Sequence, residues 1–521
     1  MKIFYQTMSL AIFFALWPYM LLAQSGQHYA MPVPDSARST RIKSLLPVID
    51  NLYKQYAAKN KFPSLSYGII VDGKLITSGH TGIINVDTKA KADMSSMYRI
   101  ASMSKSVTAV AILQLRDAGR LNLDDPASKY IPELKQVKQL TTDAPAITIR
   151  HLLTHGAGFP EDNPWGDRQL EDSNADLITL LKNGIYFSNV PGIAYEYSNL
   201  GFALLGQIVE KVSGMPFDVY TKEKIFKPLG MTHTEWEYTK VPADKLVHGY
   251  RLIHDQWKEE IPLHHGAYGA MGGMITSVED FARYVSFHMA AWPARSGVEN
   301  PVLKRSSLRE MHMPHNISSF NVQNRYASGR LCPTVGAYNY GLNWTRDCED
   351  RVYVGHSGGL PGYGSQWRFL PEYGIGVLAF ANQTYASLGS VNTQVLDTLI
   401  RGARLHHYTL PASEILNQRQ DVLIKLIPKW DSTMIARYSG ATSNIFSENF
   451  FPDYPLADLR AEHIALFKAI GTIQQIGDVK AENQLRGTFD IIGDKGKLNV
   501  FFTLTPENPP LVQELRVSLA K

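Results

Sequence analysis

The spacing of apolar residues changes twice along this chain, from strand-like to helical and back to strand-like. These two changes limit the folds that the chain can adopt. Near the start, two strand-like runs flank Asp72-Gly73, the strongest short hairpin signal, in LSYGIIVDGKLITSGHTGI. From Ser102 to about residue 330, apolar residues mostly recur at helical spacing. Short strands return near residue 335, in RVYVGHS, SQWRFLP and IGVLAFANQ. We therefore expect one sheet that takes its strands from both sides of a large helical insert.

These patterns predict an α/β (α+β) architecture, in which an antiparallel sheet is flanked by helices and carries a large all-helical insert. Four strand-like runs near the end predict a further small α+β domain. The expected division is a signal peptide at 1–23, a flexible lead at 24–39, a main domain at 40–405, a linker at 406–413 and an accessory domain at 414–521.

Several local signals set the expected ends of these elements. Glycine after an apolar helical run predicts a helix end, and Ser or Thr three residues before Glu predicts a helix start. The resulting predictions are a helix from about Thr40 to Lys59, helix ends at Gly119 and Gly214, a capping box at Thr276–Glu279, turns at 371–374 and 493–496, and a helix from about Val391 to Leu405.

Length and charge restrict the function classes. A chain of 521 residues with 44% hydrophobic residues can form two or three domains, each with a core. The formal net charge is only +4, and the sequence contains no basic block of five or more residues. We therefore expect no nucleic-acid or membrane-surface partner.

The N-terminus carries a targeting signal. Lys2 is followed by an apolar run of roughly 14 residues, which is too short for a bilayer span of about 20. Small Ala23 precedes polar Gln24, which fits a secretory signal peptide cleaved near Ala23, although an uncleaved anchor is the alternative. We expect a secreted or periplasmic protein with no stable membrane span after cleavage.

The sequence offers no obvious metal site and one possible disulfide. The two cysteines, Cys332 and Cys348, are close enough to close a small loop in an exported protein, but spacing alone also allows two free thiols. The adjacent pairs His264-His265 and His406-His407 point their side chains apart on a strand or a helix, so neither is a good chelator. We expect no metal or organic cofactor.

Two serines compete for the role of a nucleophile. Gly355-His356-Ser357-Gly358-Gly359 matches G-x-S-x-G, a pattern that holds the nucleophile of some hydrolases between a strand and a helix. Here the following GGLPGYG cannot form that helix, and the only histidines further on, at 406, 407 and 463, lie in the expected linker or small domain. Ser357 is therefore not the expected nucleophile.

Ser102 has the better setting, at the start of the apolar helix in RIASMSKSVTAVAILQL. Lys105 lies at i+3, which puts both side chains on one helix face. A desolvated lysine amine has a lowered pKa and can take the serine proton. The alternative interpretation is a helix-capping serine beside a surface lysine. A second S-x-x-K, ending at Lys521, has no helix after it and is expected to be a chance match.

Two further motifs accompany Ser102 in order: Tyr197-Ser198-Asn199 and His356-Ser357-Gly358. The ordered set S-x-x-K, Y-x-N and [KH]-[ST]-G resembles the penicillin-recognising serine hydrolases of the S12 peptidase superfamily, above all class C β-lactamases and related DD-peptidases, D-aminopeptidases and esterases. HLLTHGAGFP and GAMGGMITSVEDFARY also look like segments of that group. The resemblance covers about residues 40–405 and implies a β-lactamase/transpeptidase-like fold.

The resemblance implies a role for each matched residue. Ser102 would be acylated, Lys105 would take its proton, and Tyr197 would pass a proton to the leaving group. Asn199 would orient the substrate amide. The substrate would lie along the strand of the third motif, formed by His356, Ser357, Gly358 and Gly359. The backbone N–H groups of Ser102 and Gly359 would form the oxyanion hole. His151 and His155 are expected to be structural.

The chain departs from class C β-lactamases in carrying His356 where these usually have lysine. A histidine is mostly neutral at pH 7, so binding of a substrate carboxylate would be weaker or pH-dependent. We expect a serine hydrolase for a D-residue peptide or a β-lactam, with a small ester as the alternative substrate. A receptor that is acylated without turnover and an inactive scaffold are the alternatives from other classes.

Overall fold

A computed structural model describes residues 36–326, 328–408, 411–438 and 444–520. Its helices are α1 (Ser36–Lys59), α2 (Ser104–Asp117), α3 (Ile149–Leu153), α4 (Asn163–Gly166), α5 (Asn174–Asn183), α6 (Asn199–Ser213), α7 (Phe217–Thr221), α8 (Gly269–Gly272), α9 (Val278–Met289), α10 (Arg305–Met311), α11 (Gly389–Gly402), α12 (Glu414–Leu426), α13 (Ser432–Arg437), α14 (Phe450–Asp453) and α15 (Leu456–Ile470). Its strands are β1 (Ser64–Val71), β2 (Lys74–Gly82), β3 (Tyr98–Arg99), β4 (Thr234–Glu235), β5 (Tyr250–Ile253), β6 (Gln256–Glu259), β7 (Ile275–Thr276), β8 (Asn316–Asn321), β9 (Thr334–Tyr338), β10 (Asn343–Asp347), β11 (Val352–Leu360), β12 (Tyr363–Leu370), β13 (Ile375–Ala381), β14 (Ile473–Ile476), β15 (Lys480–Asn483), β16 (Arg486–Gly493), β17 (Lys497–Leu504) and β18 (Val512–Leu519).

The main sheet has eight antiparallel strands in the order β2-β1-β13-β12-β11-β10-β9-β8. The N-terminal hairpin therefore pairs with strands from the other end of the region, because β1 lies beside β13. This arrangement confirms the expected antiparallel sheet built from both sides of the insert. The predicted insert, from Ser102 to about residue 330, is not all helical: it also holds the short strands β4 to β7, and β8 near its end belongs to the main sheet.

Helices cover both faces of this sheet, which explains why β1 is buried along its whole length. Successive strand residues point to opposite faces. Ile69 accordingly packs in one apolar cluster with residues of α1 and α11, and Ile70 packs in another with residues of α2, α6 and α9. The second cluster holds the start of α2, so the sheet and the helical insert together fix its position.

Most of the turns and helix ends predicted from local signals agree with the structure. Asp72 and Gly73 have φ values of +51° and +73° and form the two-residue turn between β1 and β2. Gly214 ends α6 in the left-handed conformation. The predicted capping box at Thr276 is one residue off: Ser277 caps α9 by accepting the N–H of Asp280, since Thr276 is still part of β7.

Helix α1 begins at Ser36, four residues before the predicted start, so 36–39 belong to a helix and not to a lead. The predicted signal peptide and the rest of the lead lie outside the described residues. In the described ranges, the helices are all too short or too polar to cross a membrane.

The two cysteines are joined. Cys332 and Cys348, sixteen residues apart, form a disulfide, with Cα atoms 5.2 Å apart. It ties the segment before β9 to the end of β10. The sequence had left this pairing open.

Residues from 412 to 517 contribute a separate apolar cluster. It forms between α12 to α15 and a five-stranded sheet, β14 to β18. The predicted turn at Gly493–Gly496 joins β16 to β17.

Candidate active site

Ser102 lies in a short 3-10 turn, Ala101–Met103, that leads directly into α2. The residue before it, Ala101, has φ +52°, a left-handed conformation that costs a non-glycine residue free energy. Such strained residues persist where the surroundings hold them, and here β11 and β12 pack on this turn. Ser102 is only 7% exposed.

Lys105 is fully buried one helical turn from Ser102. Its Nζ atom donates to Ser102 Oγ at 3.0 Å, to Asn199 Oδ1 at 2.7 Å and to the Met271 carbonyl at 3.0 Å. These three acceptors fix the amine against the serine hydroxyl. The alternative of a surface lysine beside a capping serine is excluded by this burial, and the Ser102 side chain caps no helix.

The surroundings of Lys105 change its protonation. Burial lowers the pKa of the ammonium to about 7, although the carboxylates of Asp167 and Asp162 oppose this shift. A substantial fraction of the amine is therefore neutral at pH 7. A neutral amine with a free electron pair at 3.0 Å can accept the proton of the Ser102 hydroxyl.

Tyr197 stands over the same pair. Lys105 Nζ lies 4.8 Å from its ring centroid, and Tyr197 lines the same cleft as Ser102. Burial raises the pKa of Tyr197 well above its usual value, and the nearby Ser102 hydroxyl opposes this. The phenol is therefore protonated at neutral pH and is a proton donor or relay, not a phenolate base.

His155, expected to be structural, packs its ring 4.2 Å from that of Tyr197. Burial and the nearby Lys105 charge hold its pKa well below the usual value. Its Nδ1 atom accepts the backbone N–H of Ser198. His155 is thus a neutral support for the tyrosine segment.

Asn199 begins α6 and is fully buried. Its Oδ1 atom accepts from Lys105, and its Nδ2 atom donates to Asn163 Oδ1 at 3.2 Å. The carboxylate of Asp162 accepts the backbone N–H groups of Asn199 and Leu200, which holds the helix start in place. Asn199 therefore contacts the lysine here, while the expectation was an amide of the substrate.

His356 is buried in β11 with both ring nitrogens engaged. Nδ1 faces the Ser357 carbonyl and so carries the proton, and Nε2 accepts from the Tyr338 hydroxyl at 2.9 Å. Burial, with the Lys105 charge, lowers the pKa of His356 to about 3. The ring is neutral throughout the physiological range, so no pH-dependent binding of a carboxylate by His356 is supported.

Ser357 is exposed in the middle of β11, and the chain continues through Leu360 into β12. No helix follows it, as the composition of the next residues indicated. This setting lacks the strand-to-helix turn that a G-x-S-x-G nucleophile needs.

The glycines of β11 allow the strand to approach the nucleophile turn. A Cβ atom on Gly358 would lie 2.2 Å from the Ile100 carbonyl oxygen and 3.0 Å from Ala101 Cβ. A Cβ atom on Gly359 would lie 2.9 Å from the Tyr385 ring. A side chain at position 358 would clash with the backbone, and one at position 359 would have to displace the Tyr385 ring.

These elements surround an open cleft of about 380 Å³. Its walls are Ser102, Asn163, Asp167, Tyr195, Tyr197, Asn343, His356, Ser357, Gly359 and Tyr385. Five of the ten were not singled out in the sequence: Asn163, Asp167, Tyr195, Asn343 and Tyr385. Asn163 and Asp167 lie at the two ends of α4, Asn343 begins β10, and Tyr195 and Tyr385 lie in loops; no local motif marks them.

The remaining chemical candidates lie elsewhere. Ser518 is near the end of β18, and Lys521 is outside the described residues. Across the described ranges, no three His, Cys, Asp or Glu side chains come close enough to hold a metal ion.

Comparison with known proteins gives a consistent family. The model of the Beta-lactamase family matches residues 49–400. The chain is 30% identical to Protein flp of Staphylococcus aureus (strain N315) over 382 residues, which cover 72% of this chain and 69% of that protein. It is 27% identical to Beta-lactamase-like protein 2 of Dictyostelium discoideum, over 71% of this chain and 65% of that protein.

Two solved structures share the fold. The octameric penicillin-binding protein homologue from Pyrococcus abyssi superposes with a TM-score of 0.56 and 21% identity, over 91% of this chain and 98% of that one. A penicillin binding protein from Bacillus halodurans gives 0.52 and 23%, over 67% and 98%. The β-lactamase/transpeptidase-like fold is thereby confirmed, and the family supports a serine hydrolase in general. The chain belongs to the Beta-lactamase family.

Proposed function

We propose that this protein hydrolyses an amide or ester bond through a covalent acyl-enzyme on Ser102. The observation that carries the proposal is the hydrogen bond between Lys105 Nζ and Ser102 Oγ, with the pKa of that amine lowered by burial to about 7. A hydroxyl beside a neutral amine is a nucleophile with its base in place.

In the acylation step, Ser102 Oγ attacks the carbonyl carbon and its proton passes to Lys105. The bond to the leaving amine or alcohol then breaks, and the leaving group takes a proton delivered by the Tyr197 phenol, which Lys105 reprotonates. In deacylation, a water molecule attacks the ester, its proton returns through Tyr197 and Lys105, and the Ser102 hydroxyl is restored. Each positioned proton transfer is worth roughly 10²–10⁴ in rate.

The oxyanion formed in each step needs donors. We assign this role to the backbone N–H groups of Ser102 and Gly359, because both residues line the cleft and β11 packs directly on the nucleophile turn. Removing one such donor costs roughly 10²–10³ in rate in enzymes of this kind. Asn199 is proposed to position Lys105, and Ser357 to bind substrate from the strand.

Export is part of the proposal. The basic residue Lys2, the short apolar run and Ala23 support a cleaved signal peptide and a secreted or periplasmic location. N-terminal sequencing of the mature protein from cell fractions tests this: a start near residue 24 outside the cytoplasm is expected, and an intact N-terminus in the cytoplasm would contradict it.

Turnover tests the enzyme against the receptor and scaffold alternatives. The purified chain is incubated with p-nitrophenyl butyrate, a chromogenic β-lactam and a labelled penicillin, and product and protein mass are followed together. Continuous release of product from any of these supports hydrolysis. One equivalent of a stable acyl adduct without turnover would support a receptor, and neither product nor any adduct, including one from a fluorophosphonate, would support a scaffold.

A further inference from the structure

The cleft has an unusual charge pattern. Among the described residues that line it, none is lysine or arginine, and His356 is neutral. The lining includes one carboxylate, Asp167. A substrate carboxylate would therefore find no cation on the cleft wall, whereas a substrate cation would find an anion.

Asp167 is poorly satisfied for a buried carboxylate. Asp167 is only 2% exposed, and its Oδ2 atom accepts a hydrogen bond from the Tyr385 hydroxyl at 3.0 Å. Its Oδ1 atom has no hydrogen-bond partner within the part of the chain that the structure describes. The neighbouring Arg168 pairs with Glu260 instead, at 3.5 Å. A buried acceptor left without a donor is costly, so the Oδ1 atom of Asp167 has the capacity to accept from a donor group of a ligand in the cleft.

The position of Tyr385 connects this carboxylate to the reacting centre. The Tyr385 ring lies beside Gly359, close enough to exclude a Cβ atom there. Gly359 is the residue to which we assign one oxyanion donor, and Ser102 is on the wall of the same cleft. A group held by Asp167 would therefore lie in the same cleft as Ser102, with Tyr385 between it and the strand of Gly359.

We propose that Asp167, held by Tyr385, binds a primary ammonium group in the acyl part of the substrate. The substrate class is then an amide or ester of an amino acid or peptide with a free amine near the scissile carbonyl, and not one recognised by a free carboxylate. This inference rests on the proposed function, because it places the ammonium relative to an acyl group on Ser102. Burial raises the pKa of Asp167 to about 6, so the carboxylate is mostly ionised at pH 7.5.

Two matched phosphonates test the inference without requiring turnover. Diphenyl 1-aminoethylphosphonate carries a free amine, and its N-acetyl derivative does not. With both, Ser102 Oγ attacks phosphorus, one phenoxide leaves, and Lys105 takes the hydroxyl proton. The rate constant of labelling, kinact/KI, is measured by intact mass on the full chain at pH 7.5, and the ratio of free-amine to N-acetyl values reports recognition of the ammonium.

The variants are Asp167→Asn, Tyr385→Phe and, as a control, Glu161→Gln, which removes an exposed carboxylate near Asp167 that is not on the cleft wall. We expect the wild type to prefer the free amine by about tenfold or more, the scale of a hydrogen bond to a charged group. Asp167→Asn should reduce the ratio at least about tenfold, Tyr385→Phe by less, and Glu161→Gln by less than about threefold.

The failure of this inference differs from the failure of the proposed function. If a neutral fluorophosphonate labels Ser102 but the ratio is near one, or is equal in wild type and Asp167→Asn, the ammonium site is wrong and the nucleophile stands. If Glu161→Gln lowers the ratio as much as Asp167→Asn, the effect is general charge and the specific site is also wrong. If the fluorophosphonate fails to label Ser102, the proposed function is wrong and this inference with it.

Discussion

The Nζ atom of Lys105 lies 3.0 Å from the Oγ atom of Ser102, where the 3-10 turn Ala101–Met103 leads into α2. Burial lowers the pKa of this ammonium from 10.5 to about 7. The reactive form is the neutral amine, which is lost as pH falls through the pKa. We therefore expect kcat/KM for p-nitrophenyl butyrate to fall about tenfold per pH unit below pH 7 and to level off above it.

A variant separates Lys105 from Asp167, which also titrates in this range because burial raises its pKa to about 6. The Asp167 carboxylate raises the pKa of Lys105, so Asp167→Asn should move the acidic limb of the profile to lower pH. His356 does not titrate in this window, because its pKa is lowered to about 3. A profile that is flat between pH 5 and 8, or a limb that moves to higher pH in Asp167→Asn, would contradict the assignment of the base.

The Tyr197 phenol is placed to relay protons and remains protonated because burial raises its pKa. We expect Tyr197→Phe to lower kcat by roughly 10²–10⁴, with a smaller change in KM. Steady-state kinetics with the butyrate ester measure both constants. Tyr195→Phe is the matched control on the same cleft wall, and an equal loss of kcat in that variant would argue against a specific relay by Tyr197.

The close packing of β11 on the nucleophile turn predicts a large effect from one methyl group. Gly358→Ala puts Cβ within 2.2 Å of the Ile100 carbonyl, which forces the strand away from Ser102. We expect labelling of Ser102 by a fluorophosphonate to slow by at least about 100-fold, since small misplacements of reacting groups are costly.

Gly201→Ala in α6 is the control for this substitution, because its Cβ would make contacts of 3.8 Å or more. Labelling of that variant should stay within about threefold of wild type, as alanine is favoured in a helix. Wild-type labelling of Gly358→Ala would mean that the strand does not position the site.

The disulfide between Cys332 and Cys348 should add measurable stability. Closing a loop of this size is worth about 3 kcal/mol through the unfolded state. We expect the Cys332→Ala/Cys348→Ala variant to show a lower midpoint in urea unfolding. A reducing agent should lower the midpoint of the wild type and leave that of the double variant unchanged. Equal midpoints for oxidised wild type and the double variant would contradict the prediction.

The sequence predicted those turns and helix ends that depend on one or two neighbouring residues. The Asp72-Gly73 turn needs two residues that tolerate positive φ, and the end of α6 needs Gly214, so both could be placed from residue type. The capping serine of α9 was missed by one residue because Thr276 and Ser277 offer equivalent signals. Only the pairing of Thr276 with β3 and β4 decides between them.

The sequence predicted the site residues whose contacts follow from their spacing along the chain or from a known order of motifs. A spacing of three residues brings Ser102 and Lys105 together. The order of the three motifs indicated Tyr197, Asn199 and the strand β11. Asp167 and Tyr385 were missed, because they are 218 residues apart in sequence and meet only after the sheet has formed. The sequence predicted a mostly neutral His356, but it could not predict that burial and the Lys105 charge lower its pKa to about 3.

The most direct test of the account is the site of covalent labelling. Wild type, Ser102→Ala and Ser357→Ala are each treated with a fluorophosphonate, and the modified peptide is located by mass spectrometry. We predict one adduct on Ser102 in the wild type, none in Ser102→Ala and a retained adduct on Ser102 in Ser357→Ala. An adduct on Ser357, or labelling that persists in Ser102→Ala, would contradict the account.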